Sequence, residues 1–213
     1  VVIFNSKLEN SKIKVKYLKK PNRKIYESNY DENLLTGCLT IIDSNLKDIS
    51  IESDHSHCED AINIVRSKGS ISELNLKNSQ FDLVDFDFSE IKIKKAVLSN
   101  SKNDCLDFSY GNYILEEVTT SNCEDKALSV GEKSTLKVNN FNGFKNNLDL
   151  AIKDSSKLDL NNFFSNKTND ENCISIYKKK QEFDGGTLTL NKKEFKCNIN
   201  KDLHSKVIFN EKK

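Results

Sequence analysis

The chain lacks the charge imbalance and the long apolar runs that would assign it to two large classes of protein. Its 213 residues contain 33 Lys and Arg against 32 Asp and Glu, which leaves a formal net charge of only +1. A nucleic-acid partner would require an excess of positive charge on one face, so we expect none. No apolar run approaches the roughly twenty residues of a membrane-spanning helix, so we expect no membrane insertion.

Familiar catalytic and metal-binding signatures are also missing. The chain has only 3 His and contains neither GxSxG nor GxxxxGK[ST], which gives no support to a Ser-His-Asp hydrolase or a phosphate-binding loop. Its 6 cysteines follow no CxxC spacing, which argues against a structural zinc site. An even number of cysteines permits disulfides, but we expect buried thiols in a stacked core.

The N-terminal sequence has neither an initiator Met nor a signal peptide with a basic start and an apolar middle. It opens with Val1-Val2-Ile3-Phe4, a pattern typical of a strand that is already under way. We therefore expect the chain to be a fragment, or a processed form, of a longer protein.

The main positive signal is a pair of apolar residues that recurs every twenty-second position. The members of each pair are two residues apart, which places them on one face of a strand. A further pair, Ile174 and Ile176, follows after two extra residues. Such a period predicts a solenoid in which each pair lies above the last. The two columns, apolar except at Thr40, are Thr40, Ile62, Val84, Leu106, Leu128 and Leu150, and Ile42, Ile64, Phe86, Phe108, Val130 and Ile152.

A second strand is expected later in most coils, because apolar and polar residues alternate in Leu74–Leu76, Leu136–Val138, Leu158–Leu160 and Leu188–Leu190. Asn marks the corners, where it tolerates left-handed backbone and can bond to the Asn one coil away. The predicted columns are Asn78, Asn100 and Asn122, and Asn139 with Asn161.

Together these patterns predict an all-β fold: a right-handed parallel β-helix of about seven coils with two strands each. The single proline and the absence of three-and-four apolar spacing argue against helices. A leucine-rich repeat is excluded because the LxxLxLxxN signature is missing. We divide the chain into an irregular first coil and polar loop (1–35), the regular β-helix (36–190) and a closing segment (191–213).

Several stretches resemble one another and also resemble a known family. They are residues 58–67, 82–89 (DLVDFDFS), 104–110 (DCLDFSY), 125–134 (DKALSVGEKS), 151–156 (AIKDSS) and 177–183 (YKKKQEF). Over about residues 36–185 the chain is similar to bacterial right-handed parallel β-helix repeat proteins of the pectate-lyase-like superfamily, and DKALSVGEKS is the most specific match. The family often has Gly where this chain has Tyr110-Gly111, so that corner is expected to differ locally. The resemblance implies the fold, a polysaccharide partner and an extracellular or cell-surface location, but no single reaction.

The strand positions between the apolar pairs should point outward, and several are acidic. Asp85 and Asp107 should stack one strand spacing apart, with Asp87 on the same face. Stacked carboxylates suit either acid-base work on a sugar bond or a calcium ion, which is the one candidate cofactor. The predicted catalytic set is Asp85, Asp87 and Asp107 as acids, with Lys126 or Lys153 as base; Asp85 and Asp107 are the predicted calcium ligands. The predicted ligand-binding residues are Asn63, Arg66, Asp82, Asp104, Tyr110 and Glu132.

Exposed aromatic residues would add a surface on which sugar rings stack. Phe88 and Tyr110 share a column beside the acidic positions, and Tyr113 and Tyr177 are further candidates. Three functions remain open: a polysaccharide-binding or surface-display module; a polysaccharide lyase, glycoside hydrolase or epimerase; and a structural spacer of a larger surface protein. A plain solvated surface also explains outward Asp beside Lys, and a fold alone does not decide function.

Overall fold

The structure, a computed structural model, describes residues 1–16, 34–191 and 196–210. These residues form an all-β solenoid of about eight turns with a period of about 22 residues and no helix. Within the described ranges there is thus no helix long and apolar enough to cross a membrane. The strands are β1 (Val2–Phe4), β2 (Lys7–Glu9), β3 (Lys12–Lys16), β4 (Gly37–Ile42), β5 (Asn45–Ser56), β6 (Asp60–Val65), β7 (Lys68–Ser79), β8 (Asp82–Ser101), β9 (Leu106–Cys123), β10 (Lys126–Gly131), β11 (Thr135–Phe144), β12 (Leu148–Lys153), β13 (Lys157–Ser165), β14 (Asn172–Tyr177), β15 (Thr187–Leu190), β16 (Asn198–Lys201) and β17 (Lys206–Phe209).

All neighbouring strands pair in parallel, and they form three stacks that we call sides 1, 2 and 3. Side 1 runs through β1, β4, β6, the starts of β8 and β9, β10, β12, β14 and β16. Side 2 runs from β2 through β5, β7, β8, β9, β11, β13 and β15 to β17. Side 3 runs from β3 through β5, β7, β8, β9 and β11 to β13.

The parallel solenoid with its 22-residue period is confirmed, with about eight turns where about seven regular coils were predicted. The additional turn is formed by β1–β3, in the segment predicted as an irregular first coil. One detail of the prediction was wrong. The central coils have three strand segments rather than two. The segments predicted as one second strand therefore lie on two different sides. Leu74 and Leu76 pair with Ala96 and Leu98 on side 3, whereas Leu136 lies on side 2. The predicted polar loop falls mostly on residues 17–33, which lie outside the described residues.

Residues with a left-handed backbone conformation allow the long strands to turn from one side to the next. The asparagine columns are confirmed: Asn78, Asn100 and Asn122 have φ of 61°, 58° and 54°, and each donates its amide to the residue one coil before. The Asn100–Asn78 and Asn122–Asn100 bonds measure 2.9 and 3.0 Å. Asn161 likewise donates to Asn139 at 2.8 Å. These ladders provide hydrogen bonds to side-chain amides at the corners, where the pairing of the strands does not supply them.

The lumen is filled by the predicted apolar columns. Phe86 and Phe108 are fully buried, pair in register, and stack with ring centroids 5.0 Å apart and planes 7° apart. One step of the register was wrong: Leu39 and Ile41, not Thr40 and Ile42, pair with Ile62 and Ile64. The first regular coil is one residue longer than the period, so the predicted column slipped to the opposite face.

The cysteines are not free thiols, which corrects the prediction. Cys105 bonds to Cys123, and the other two pairs are Cys38–Cys58 and Cys173–Cys197. The sequence separations of 20, 18 and 24 residues show that each disulfide closes about one coil. Because a solenoid coil contacts only its neighbours, such a cross-link opposes local unfolding where long-range contacts cannot.

The corner at Tyr110-Gly111 does differ from its neighbours. In earlier coils a buried serine follows the corner, and Ser67 donates its backbone N–H to Ser89 Oγ at 3.0 Å. Gly111, with φ of 101°, takes the next place, where a Cβ would come within 2.2 Å of the Ser89 carbonyl oxygen. The Tyr113 hydroxyl accepts the Ser89 N–H instead, at 3.2 Å. Tyr113 is consequently buried, and the expectation that it is exposed was wrong.

Candidate functional site: the acidic face of side 1

Strands β6, β8 and β9 bring six carboxyl groups together at side 1. The register places Asp60 beside Asp82 and Asp85 beside Asp107, as the 22-residue spacing predicts. We call this cluster the acidic face; it consists of Asp60, Asp82, Asp85, Asp87, Asp104 and Asp107. Its members belong to three successive coils, so neighbouring carboxyls lie about one strand spacing, 4.8 Å, apart.

The inner row of the acidic face, Asp60, Asp82 and Asp104, is almost completely buried. Backbone amides orient this row. The N–H of Asp104 donates to Asp82 Oδ1 at 2.7 Å, and the N–H of Lys126 donates to Asp104 Oδ1 at 2.9 Å. Burial and neighbouring carboxylates raise the pKa of Asp60 to about 7, of Asp82 to about 8 and of Asp104 to about 6.

The outer row consists of Asp85, Asp87 and Asp107, the predicted catalytic acids. Burial, followed by the charges of Asp87 and Asp107, raises the pKa of Asp85 well above its ordinary range. Burial also raises the pKa of Asp87, although Asp87 accepts a 3.1 Å bond from the side-chain amide of Asn63. Predicted site residues Asn63, Asp82, Asp85, Asp87, Asp104 and Asp107 are thus brought together.

The two lysines predicted as bases flank the acidic face on its C-terminal side. Lys126 Nζ lies 3.3 Å from Asp104 Oδ1 and also pairs with Asp125. Burial acts to lower the pKa of Lys126, but the charges of Asp104 and Asp125 raise it overall. Lys153 is buried, with Nζ 3.9 Å from Asp107 Oδ1. Its side chain crosses Gly131, where a Cβ would lie only 2.8 Å from Lys153 Cε. The lack of a side chain at Gly131 therefore leaves the space that Lys153 occupies.

Two predicted ligand-binding residues lie at the edge of this arrangement. Arg66 donates two bonds to Asp43 in the preceding coil, at 2.8 and 2.9 Å. Glu132 occupies a left-handed corner position, accepts a 2.7 Å bond from Ser109 and pairs with Lys180 at 2.7 Å. These hydrogen bonds, with the nearby lysine charges, lower the pKa of Glu132 despite its burial.

A stacked pair of aromatic rings, one exposed and one half-buried, borders the acidic face. Phe88 and Tyr110 occupy the corner after side 1 in successive coils, with ring centroids 4.6 Å apart and planes 8° apart. Phe88 is 56% exposed. We call this pair the aromatic corner. It confirms the predicted placement of the two rings in one column, where they stack face to face close to Asp87 in the chain.

The stretch that the sequence predicts as a further coil, residues 177–183, mostly forms a connection without strand structure that packs next to the aromatic corner. Residues 178–184, between β14 and β15, bring Phe183 to 6.5 Å from the Tyr110 ring in an edge-on contact. Asp154 Oδ1 anchors this segment by accepting the N–H groups of Lys179 and Lys180 at 2.7 and 2.8 Å. The available signal was a break in the period, since side 2 needs 30 residues from Leu158 to Leu188 where earlier coils need about 22.

Carboxylate oxygens of Asp82, Asp104 and Asp107 all lie within 4.8 Å of one another. Among the predicted calcium ligands, Asp107 belongs to this group and Asp85 lies beside it in register. Oxygen ligands in this number and of this charge suit a hard cation.

Comparison with protein-family models, with curated proteins and with solved structures finds no match at all. The strand pairing alone therefore identifies the chain as a parallel β-solenoid, compatible with a β-helix repeat family.

Proposed function

We propose that this chain is a polysaccharide-binding β-helix module of the pectate-lyase-like kind, exposed outside the cell. The sugar chain lies along side 1, with a sugar ring packed against the exposed part of the Phe88 and Tyr110 stack and its hydroxyl groups bonded to the acidic face. Carboxyl groups accept hydrogen bonds from sugar hydroxyls, and those that remain protonated also donate them.

The observation that supports this proposal most strongly is the backbone of the aromatic corner. Phe88 and Tyr110 have φ of 51° and 52°, a left-handed conformation that is unusual for bulky side chains. Each such residue costs about 1–2 kcal/mol. The same corner is left-handed at Arg66 and Glu132, so the backbone conformation belongs to the corner in each of these coils. Two adjacent coils nevertheless place bulky aromatic residues there with the Phe88 ring exposed, which is the arrangement expected of a ligand-binding surface.

The disulfides support the extracellular part of the proposal. Disulfides form and persist mainly in oxidising environments such as the cell exterior or the bacterial periplasm. All six cysteines are paired, which leaves no thiol for metal binding or catalysis.

Affinity gel electrophoresis with a panel of acidic and neutral polysaccharides tests the proposal. The wild-type chain should be retarded by at least one of them, and the double variant Phe88→Asn/Tyr110→Asn should migrate freely. Asn tolerates the left-handed backbone, so this variant removes the rings without disturbing the corner.

The matched control is a pair of exposed aromatic rings outside side 1. These are Phe144 and Phe164 on side 3, whose ring centroids are 5.6 Å apart. The double variant Phe144→Ser/Phe164→Ser should keep wild-type retardation. Equal loss of retardation in both variants would show non-specific adhesion, and no retention of the wild type on any polysaccharide would remove the proposal.

A second candidate, cleavage of the bound polysaccharide, is favoured by one specific observation. Asp82 and Asp104 have pKa values of about 8 and 6, so near neutral pH one carboxyl is protonated while the other is ionised. That division of protons suits acid-base catalysis on a sugar bond. Both residues are buried, however, which makes binding the better supported function. Release of reducing ends or unsaturated products by the wild type, abolished in Asp107→Asn with the fold intact, would establish the enzymatic alternative.

A further inference from the structure

The oxygens that converge at the centre of the acidic face have unused bonding capacity. Asp82 and Asp104 each accept a backbone N–H through Oδ1, and Asp107 Oδ1 accepts the N–H of Phe108 at 2.9 Å. One oxygen of each carboxyl group is thereby held by the backbone. Because the backbone restricts all three side chains, their carboxyl groups are oriented before any ligand arrives.

Independent of the carboxylate cluster, two buried polar atoms beside it have no partner. Ser129 is fully buried, pairs in register with Asp107, and its Oγ makes no hydrogen bond. Asp60 is 2% exposed, pairs in register with Asp82, and its Oδ2 is likewise without a partner. Leaving a buried polar atom without a hydrogen-bond partner is unfavourable, so such atoms in a folded protein indicate a ligand.

The nearby cations do not balance the charge of this cluster. Lys126 divides its ammonium group between Asp104 and Asp125, and Lys153 Nζ approaches Asp107 only to 3.9 Å. Asp85 Oδ1 is also buried without a partner, and this carboxyl group lies beside Asp107 in register. Carboxylates held this closely repel one another unless a cation or protons lie between them.

We propose that Asp82, Asp104 and Asp107 bind a hard divalent cation, with the Ser129 hydroxyl beside Asp107 and Asp60 beside Asp82 at the border of the site. All the available donors are oxygens, which suits Ca²⁺, Mg²⁺ or Mn²⁺ rather than a soft metal. Among these, Ca²⁺ is the preferred ion, because it accepts irregular arrangements of carboxylates whereas Mg²⁺ demands a near-ideal octahedron. The cation joins three successive coils at the middle of the solenoid and stabilises them whether or not a sugar is present.

Isothermal titration calorimetry on the chelator-treated full chain, with CaCl₂ as the only ligand, tests this proposal. We expect one saturable Ca²⁺ site per chain and a higher Tm in Ca²⁺ than in EDTA. Asp82→Asn keeps the oxygen that accepts the Asp104 N–H but removes the charge, so it should fold and lose at least about tenfold in Ca²⁺ affinity. Ser129→Ala should weaken Ca²⁺ binding while leaving the Tm in EDTA unchanged or raised.

Glu90→Gln, which removes an exposed carboxylate on side 2 of the same coil, serves as the control and should bind Ca²⁺ like the wild type. The proposal is overturned if Ca²⁺, Mg²⁺ and Mn²⁺ at millimolar concentration produce neither binding heat nor a Tm shift. It is also overturned if Asp82→Asn binds Ca²⁺ as the wild type does. These measurements contain no polysaccharide, so their failure would leave the sugar-binding proposal intact.

Discussion

Two corners of the solenoid solve the same backbone problem with different residues. At the corner after side 3, Asn78, Asn100 and Asn122 adopt left-handed conformations and form a ladder of amide hydrogen bonds. At the corner after side 1, Phe88 and Tyr110 adopt nearly the same φ values, but their rings stack at the surface. The asparagine corner has the lower cost in free energy, because Asn tolerates left-handed backbone and forms hydrogen bonds with its neighbours. The aromatic corner is less stable and leaves an aromatic ring, Phe88, exposed to solvent.

The acidic face shows the same contrast with the asparagine ladder. Stacked amides attract, because each has both a donor and an acceptor, whereas stacked carboxylates repel. Asp82 and Asp104 form a one-coil step like that between Asn78 and Asn100, yet the pKa values of the two Asp residues are raised. Side 1 therefore concentrates two unfavourable features, an aromatic corner and a carboxylate ladder, which is typical of a functional surface.

The largest expected effect is that of pH on the chelator-treated protein. The pKa values of Asp104, Asp60 and Asp82 are about 6, 7 and 8 in the folded chain, against about 3.9 when unfolded. Between about pH 4 and 8 the folded chain therefore retains protons that the unfolded chain releases. The free energy of unfolding should fall across that window as the pH rises and level off above it, as measured by urea unfolding in EDTA.

Two variants separate the acidic face from the rest of the molecule in this experiment. Asp82→Asn should flatten the decline between about pH 6 and 8, because it removes the carboxyl group whose pKa is about 8. Asp43→Asn should leave that decline unchanged, because the bond from Arg66 lowers the pKa of Asp43 and its titration lies below this window. A stability that stays constant from pH 5 to 8 in the wild type would contradict the ionisation assigned to the acidic face.

The contrast between the corners also explains what the sequence could predict. Strict spacing of residues such as Phe86 and Phe108 established the period, because a stack repeats the same environment in every coil. The asparagine column was visible for the same reason, since one residue type recurs at one position. The register of Asp85 on Asp107 followed directly from the period.

Features that break the repeat could not be predicted in the same way. Phe183 reaches the aromatic corner through an interruption of the period, so no column points to it. The disulfides were missed although each pair, such as Cys105 and Cys123, is separated by about one coil. That spacing was a usable signal once the period was known. Convergence of Asp82, Asp104 and Asp107 depends on side-chain directions, which spacing alone does not determine.

An intermediate effect is expected from breaking the asparagine ladder. Asn100→Ala removes the bonds to Asn78 and Asn122 and places a Cβ residue without a compensating amide in left-handed backbone. We expect a loss of about 2 kcal/mol in the free energy of unfolding, measured by urea denaturation. Asn100→Gly should lose less than Asn100→Ala, because Gly adopts this conformation without strain. Equal losses in the two variants would show that backbone strain contributes nothing at this corner.

The smallest and most discriminating effect is a gain in stability at the aromatic corner. Phe88→Asn relieves a bulky residue from left-handed backbone and exposes no core, since the Phe88 ring is already 56% exposed. The variant loses the ring contact with Tyr110, which is worth about 0.5–1.5 kcal/mol, and gains back about 1–2 kcal/mol of strain. We expect the free energy of unfolding to stay level or rise slightly, while polysaccharide retardation weakens.

The reverse exchange, Asn100→Phe, has no stacking partner in its column and should destabilise the fold. If Phe88→Asn were instead as destabilising as Asn100→Phe, the aromatic corner would be a structural element like the asparagine corner, and its exposed rings would no longer indicate a binding surface.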